Sequence, residues 1–170
     1  MTSDRARLIE EQIPSLRRYA RALVGARGDA DDLVHDCIER ALSRWHLWRS
    51  DRDLRPWLFT IMHNQFISQR RKAARRPAPV ALQDDADYTA TAPTQGGGLL
   101  LQELAGALAE LADDQRAVVL LIGLEGFSYD EAAGILGVPR GTVTSRLARG
   151  RERLRRLMAG EEGPVLRRVK

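Results

Sequence analysis

Seven arginines and one glutamate fall between residues 140 and 156. A guanidinium carries a fixed charge and a planar fork of donors, which suits phosphate oxygens and the acceptor edges of bases. Arg140, Thr142, Thr144, Ser145, Arg146, Arg149 and Arg153 take the outward positions of a helix whose other face carries Val143, Leu147, Leu154 and Met158. A helix in the major groove needs donors near its N-terminal half to read bases, and flanking cations to hold phosphates. A second cluster has the opposite sign. Asp29, Asp31, Asp32, Asp36 and Glu39 lie in a stretch without one basic residue. Such a patch repels phosphate and suits a basic protein surface. A third segment, RDLRPWLFTIMHNQFISQRRKAARR at 52–76, interleaves aromatic and polar residues and closes on a run of cations. Stacking surface plus backbone neutralisation is what single-stranded or opened DNA requires. Trp57, Phe59 and Phe66 also fit a core; His63 and Asn64 are expected on an exposed face, as candidates for base contact.

None of this is covalent chemistry. The sequence holds no GxxxxGK[ST], HExxH or GxSxG motif. His35, His46 and His63 form no metal-ligand spacing with Cys37. No catalytic residue, metal or cofactor is therefore expected. Cys37 is the sole cysteine, which excludes an internal disulfide framework and fits a small core residue in a reducing cytoplasm. The start, MTSDRARLIEEQ, has no apolar signal core, and no stretch approaches the length of a membrane span. A bacterial cytoplasmic location is expected.

The elements that must carry these residues are helices. The hydrophobic set is 44% of the 170 residues but aromatics only 5%, so the cores rest on aliphatic side chains. No segment alternates as a strand does. Ile9, Ile13, Leu16, Ala20 and Leu23 predict one amphipathic helix, broken after it by Gly25 and Gly28. Asp29 is expected to cap the next, with Asp31 and Asp32 in its first turn. Residues 49–55 read as a polar loop, and Pro56 as the first helical position of a third helix through Trp57, Leu58, Ile61, Met62 and Phe66. Residues 77–98 carry three Pro, three consecutive Gly and three Asp but no cation, and read as a flexible acidic linker. Leu101, Leu104, Leu108 and Leu111 mark a helix beyond it; Asp113 is expected to cap another, through Val118, Leu121 and Ile122. Ser128 with Glu131 forms a capping box for a helix over 129–136, which Gly137 ends. The Arg-rich helix follows. A short helix, a glycine turn and a basic second helix make a helix-turn-helix. The expected fold is all-α: two small helical domains, 1–76 and 99–158, joined by the linker 77–98 and followed by a tail over 159–170.

Three stretches in this order resemble bacterial sigma factors of the extracytoplasmic function (ECF) type, in the sigma-70 family. They are DADDLVHDCIERAL at 29–42, LRPWLFTIMHNQFISQRRKAARR at 54–76, and LADDQRAVVLLIGLEGFSYDEAAGILGVPRGTVTSRLARGRERLR at 111–155. The resemblance implies a sigma region-two domain at 1–76 and a region-four domain at 99–158. It implies core RNA polymerase as a partner, through the clamp helices of the beta-prime subunit and through the beta subunit. Asp29, Asp31, Asp32, Leu33 and Asp36 match the segment that meets those helices; His35 stands where the family usually has Gln. The resemblance further implies minus-10 recognition and melting by Arg52, Arg55, Trp57, His63, Asn64, Arg70 and Arg71. It implies minus-35 reading by Arg140, Thr142, Thr144, Ser145, Arg146, Arg149 and Arg153, with Thr144 where the family often has Lys or Arg. Promoter DNA and an anti-sigma factor follow as further partners. The linker allows the two domains to pack together and cover the DNA-binding faces. Two other readings stay open at this point. One is a stand-alone helix-turn-helix regulator, which leaves the acidic helix without a partner. The other is an anti-sigma or adaptor protein acting by protein contacts, which leaves the Arg-rich helix unexplained.

Overall fold

The computed structural model describes residues 2–75 and 97–160, and every regular element among them is helical. The order is α1 (Thr2–Glu10), α2 (Ile13–Val24), α3 (Arg27–Ser43), a 3-10 turn (Trp45–Leu47), α4 (Leu54–Arg75), α5 (Gly97–Ala109), α6 (Asp113–Val119), a π-helical turn (Leu120–Leu124), α7 (Tyr129–Leu136) and α8 (Arg140–Met158).

The first apolar run forms two helices, not one. Pro14 sits in the first turn of α2. Its ring and missing N–H forbid a helix passing through from Glu10, so the chain turns at Glu11 and Gln12. Gly25 ends α2 with φ 80°, its N–H donating to the Arg21 carbonyl. Gly28, expected to break helix, lies inside α3. That helix starts after Ala26, so Asp29 belongs to its first turn and is not its cap. Helix α4 also starts early, at Leu54. The Asp53 carboxylate accepts the Arg55 N–H at 3.0 Å and supplies the cap, leaving Pro56 third in the helix.

In the second half, α5 takes in Gly97 and Gly98, which the composition places in the linker. The rest of the linker, 77–96, lies outside the described residues, as do Arg76 and the tail beyond Gly160. Ala112 precedes α6 with no side-chain cap; Asp113 instead turns its carboxylate to Arg116 and Arg70. Helix α6 then widens. The Glu125 N–H donates to the Leu120 carbonyl at 3.0 Å, five residues back, and the Phe127 N–H to Leu121 at 3.0 Å. Gly126, with φ 73°, makes the turn. The capping box of α7 is formed as expected: the Glu131 N–H donates to Ser128 Oγ at 3.2 Å and the Ser128 N–H to the Glu131 carboxylate at 2.8 Å. Gly137 ends that helix at φ 64°.

Leu16, Leu23, Leu33, Cys37, Leu58 and Met62 fill the core of α2, α3 and α4. Val118, Leu121, Ala132, Ile135, Val143 and Leu147 fill that of α6, α7 and α8. The two cores are continuous with each other. Met158, expected on the core face of α8, is exposed because the helix outruns the domain. No helix among the described residues is long and apolar enough to cross a membrane. None of their His, Cys, Asp and Glu side chains groups as a metal site.

Candidate polymerase- and promoter-binding surfaces

The helix-turn-helix is built tightly. Gly150 of α8 is buried against α6, where an added Cβ would stand 2.8 Å from Val119 Cγ2. This close approach seats α8, with Val143 and Leu147 underneath and Ala132 of α7 fully buried beside them. The outward face then carries the predicted residues. Thr144, Ser145 and Arg149 are exposed. Thr144 Oγ1 donates to the Arg140 carbonyl at 3.1 Å and Ser145 Oγ to Thr142 at 3.1 Å, each hydroxyl keeping its acceptor capacity outward. Arg140 pairs with Asp130 at 3.1 Å on the surface. Arg146 is less available: it is half-buried and pairs with Asp114 at 3.1 Å. Thr142 and Arg153 are also half-buried.

Helix α3 buries Ala30, Leu33, Val34, Cys37 and Ala41 and turns its acids outward. Asp29, Asp31 and Asp32 are exposed. Asp36 is half-buried; its carbonyl accepts from Gln65 Nε2 at 2.9 Å and its carboxylate from Gln69 Nε2 at 3.4 Å, which ties α3 to α4. Leu33, expected among the partner contacts, is fully buried and seats the helix instead. The Cys37 thiol donates to the Leu58 carbonyl at 3.4 Å, and burial pushes it up to about 12, so it stays protonated.

On α4 the residues divide by helical phase. Phe59, His63 and Phe66 are four and three positions apart and share the buried face. The expectation that His63 is exposed is therefore wrong. It is 8% exposed, beside the Phe66 ring, with no partner for Nδ1. Burial, helped by the positive charge of Arg146, lowers it to about 4, which leaves a neutral ring at physiological pH. Asn64, one position on, is exposed, as are Arg52, Arg70 and Arg71. Trp57 is half-buried, edge-on to Trp45 at 6.3 Å. Arg70 pairs with Asp113 at 3.2 Å. Asn64 and Gln65 line a groove between α3 and α4 with Asp36, Arg40, Arg44, Ile61 and Lys72.

Comparison with known proteins adds to this geometry. The family description "Sigma2 domain of PhyR" matches residues 9–63, and "Sigma-70, region 4" matches residues 101–154. The ECF RNA polymerase sigma factor EcfG of Rhodopseudomonas palustris (strain TIE-1) is 39% identical over 149 residues, covering 86% of this chain and 80% of EcfG. The chain belongs to the ECF sigma factors of the sigma-70 family. Among solved structures, the sigma factor RpoE in complex with the anti-sigma factor NepR, from Bartonella quintana, matches with a TM-score of 0.76 at 35% identity. That match covers 95% of this chain and all (100%) of the other. CnrH in complex with the cytosolic domain of CnrY matches with a TM-score of 0.71 at 26% identity, over 95% of this chain and 92% of that one.

One set of contacts in this sigma factor was not anticipated residue by residue. Arg18 of α2 and Arg55 of α4 converge on Glu125, and Phe127 meets Phe59 edge to face. Arg55, expected at the minus-10 element, is thus engaged within the molecule. The sequence did carry a signal: Glu125 is a lone carboxylate in the apolar run LLIGLEGF. A charge in such a run is retained in the interior only when paired. What it pairs with lies more than a hundred positions away in Arg18 and was invisible to local reading.

Proposed function

We propose that this ECF sigma factor divides its work among three surfaces on the domains 1–76 and 99–158. The exposed carboxylates Asp29, Asp31 and Asp32 of α3, with Asp36 at the edge, meet the clamp helices of the polymerase beta-prime subunit. Arg52, Asn64, Arg70 and Arg71, with Arg55 when released, handle the minus-10 strand. The outward face of α8 reads the minus-35 duplex. The observation that carries this reading is the division of charge and exposure: acids outward on α3, donors and cations outward on α4 and α8. Each surface suits the partner assigned to it and repels the other. Leu33 and His63 act through the core that positions these faces. The protein acts by binding, as an initiation factor in the cytoplasm, and no covalent step is assigned to it. An anti-sigma factor is proposed as a further partner, on the precedent of the RpoE–NepR and CnrH–CnrY complexes.

The test is multi-round transcription by purified core polymerase, with and without this protein, on a pool of upstream fragments. Discrete start sites that depend on the protein are expected. Asp32→Arg is expected to abolish binding to core while leaving the helical content unchanged. Normal core binding by that variant would overturn the acidic-face assignment.

A further inference from the structure

The charge of α3 changes sign along its length. Residues 29–39 carry five acids and neither Lys nor Arg; Arg40 then lies in the last turn and Arg44 follows the helix. The two arginines stand one turn apart, about 6 Å, on one wall of the groove between α3 and α4, which encloses about 260 Å³. On the facing wall Lys72 adds a third cation, and Asn64 and Ser68 add neutral donors. Gln65 Nε2 donates to the Asp36 carbonyl at 2.9 Å and ties the walls together. Asp36 is the one carboxylate lining this groove, and it already accepts from Gln69 Nε2. Glu39 stands in the adjoining hollow beside the same arginines. Arg40, Arg44 and Lys72 are exposed, and none makes a side-chain hydrogen bond or ion pair among the described residues. Arg40 does complement the negative end of α3. That accounts neither for Lys72 nor for the groove the three cations share.

We propose that this groove is a phosphate track, in which Arg40, Arg44 and Lys72 hold the backbone of an opened DNA strand beside the base at Asn64. Position and spacing favour a strand over a protein partner. Arg44 leads from α3 towards the loop 49–55, and Asn64 lies across the groove from it. A strand whose bases are handled by that loop and by Asn64 must carry the phosphates between them past the groove. Successive phosphates of an extended strand are separated by about the distance of one helical turn, so each arginine can take one. Such contacts add affinity without reading sequence. Helix α3 then serves two partners from one rigid element: its acids meet the polymerase and its cations meet the DNA. This inference rests on the assignment of the loop and Asn64 to the minus-10 strand, and adds Arg40, Arg44 and Lys72 to that site.

The track is tested with the full chain and a labelled oligothymidine strand, which offers phosphates without a promoter sequence. Fluorescence anisotropy reads binding over about 50–200 mM salt. The proteins are the unaltered chain, Arg40→Gln, Arg44→Gln, Lys72→Gln and Arg17→Gln, the last an exposed cation of α2 outside the groove. Each groove substitution is expected to weaken binding and to lower the steepness of log affinity against log salt by about 0.7, the value for one phosphate of a single strand. Arg17→Gln is expected to change neither. Unaltered affinity in the three groove variants overturns the track. So does an equal loss in Arg17→Gln, or failure of the unaltered chain to bind the strand. A pull-down with core polymerase covers the other partner: loss of core binding by Arg40→Gln or Arg44→Gln, with strand affinity unchanged, assigns these cations to the polymerase and also overturns the track. Asn64→Ala tests the underlying reading separately. In the holoenzyme, on promoter fragments mispaired over the minus-10 region, it is expected to alter the preference among minus-10 sequences, whereas the groove variants weaken binding to all of them alike. An unaltered preference in Asn64→Ala refutes the assignment of that residue, and the salt dependence then decides the groove by itself.

Discussion

Gly150 and Gly134 let the seat of the recognition helix be tested by the sign of one substitution. Both are helical glycines, on α8 and α7, and alanine at either gains helix propensity of about 1 kcal/mol. At Gly134 a new Cβ meets nothing within 4 Å. At Gly150 it meets Val119 Cγ2 at 2.8 Å, with the Gln115 Cβ and carbonyl oxygen at 3.4 Å closing the other side. Carbon atoms rest about 3.5–4.0 Å apart, so roughly 1 Å must be found. Val119 cannot swing away, since a β-branched side chain in a helix has one preferred rotamer. Helix α8 must therefore lift from α6. Overpacking of this kind costs about 1–3 kcal/mol. Propensity cancels between the two variants, so Gly150→Ala is expected to be less stable than Gly134→Ala by about 1–3 kcal/mol, and Gly134→Ala more stable than the unaltered protein. Urea denaturation, compared at unchanged slope, reads both differences. Equal midpoints for the two variants would refute the close-approach argument. The displaced α8 of Gly150→Ala is also expected to bind a minus-35 duplex more weakly.

Ser128→Ala removes the capping hydroxyl of α7 and is expected to cost about 1 kcal/mol in urea denaturation. The Ser128 backbone and hydroxyl hold the Glu131 carboxyl below the usual carboxylate range. Its contribution is present above the unfolded value and fades as pH falls through the folded one, so Ser128→Ala should also flatten part of the acid loss. His63 contributes over a higher window. Its folded value of about 4 lies below the ordinary 6.5, so the unfolded chain binds the extra proton between them. Stability is full above 6.5 and falls towards pH 4, by up to about 3 kcal/mol. His63→Phe should abolish that part of the slope, and an unchanged pH profile would contradict a buried neutral ring. Arg149→Ala, at an exposed position of α8, is expected to weaken minus-35 binding by ~1–3 kcal/mol if Arg149 contacts a base, with core binding unchanged in a pull-down.

Local chemistry was readable wherever neighbours in sequence are neighbours in space. The Ser128–Glu131 box, the Gly137 stop and the basic face of α8 all follow from spacings of a few residues, because helix periodicity and capping are local. The same is true of the acidic face of α3. Where local rules competed, reading failed by small steps. Pro14 split an apolar run that periodicity alone joined. Ala26 and Leu54 began helices before their best-looking starts, and Gly97 and Gly98 joined one despite their propensity. His63 failed for a different reason: its polarity suggested surface, whereas its phase with Phe59 and Phe66 put it in the core. The helices, their faces and the family they resemble were thus determined by sequence alone. The docking of one half on the other was decided only in three dimensions. Glu125 has no partner within its own stretch, and the two guanidiniums that neutralise it come from α2 and α4. Burial of that charge is tolerable only once all three residues meet, and such a meeting leaves no periodic trace in the chain.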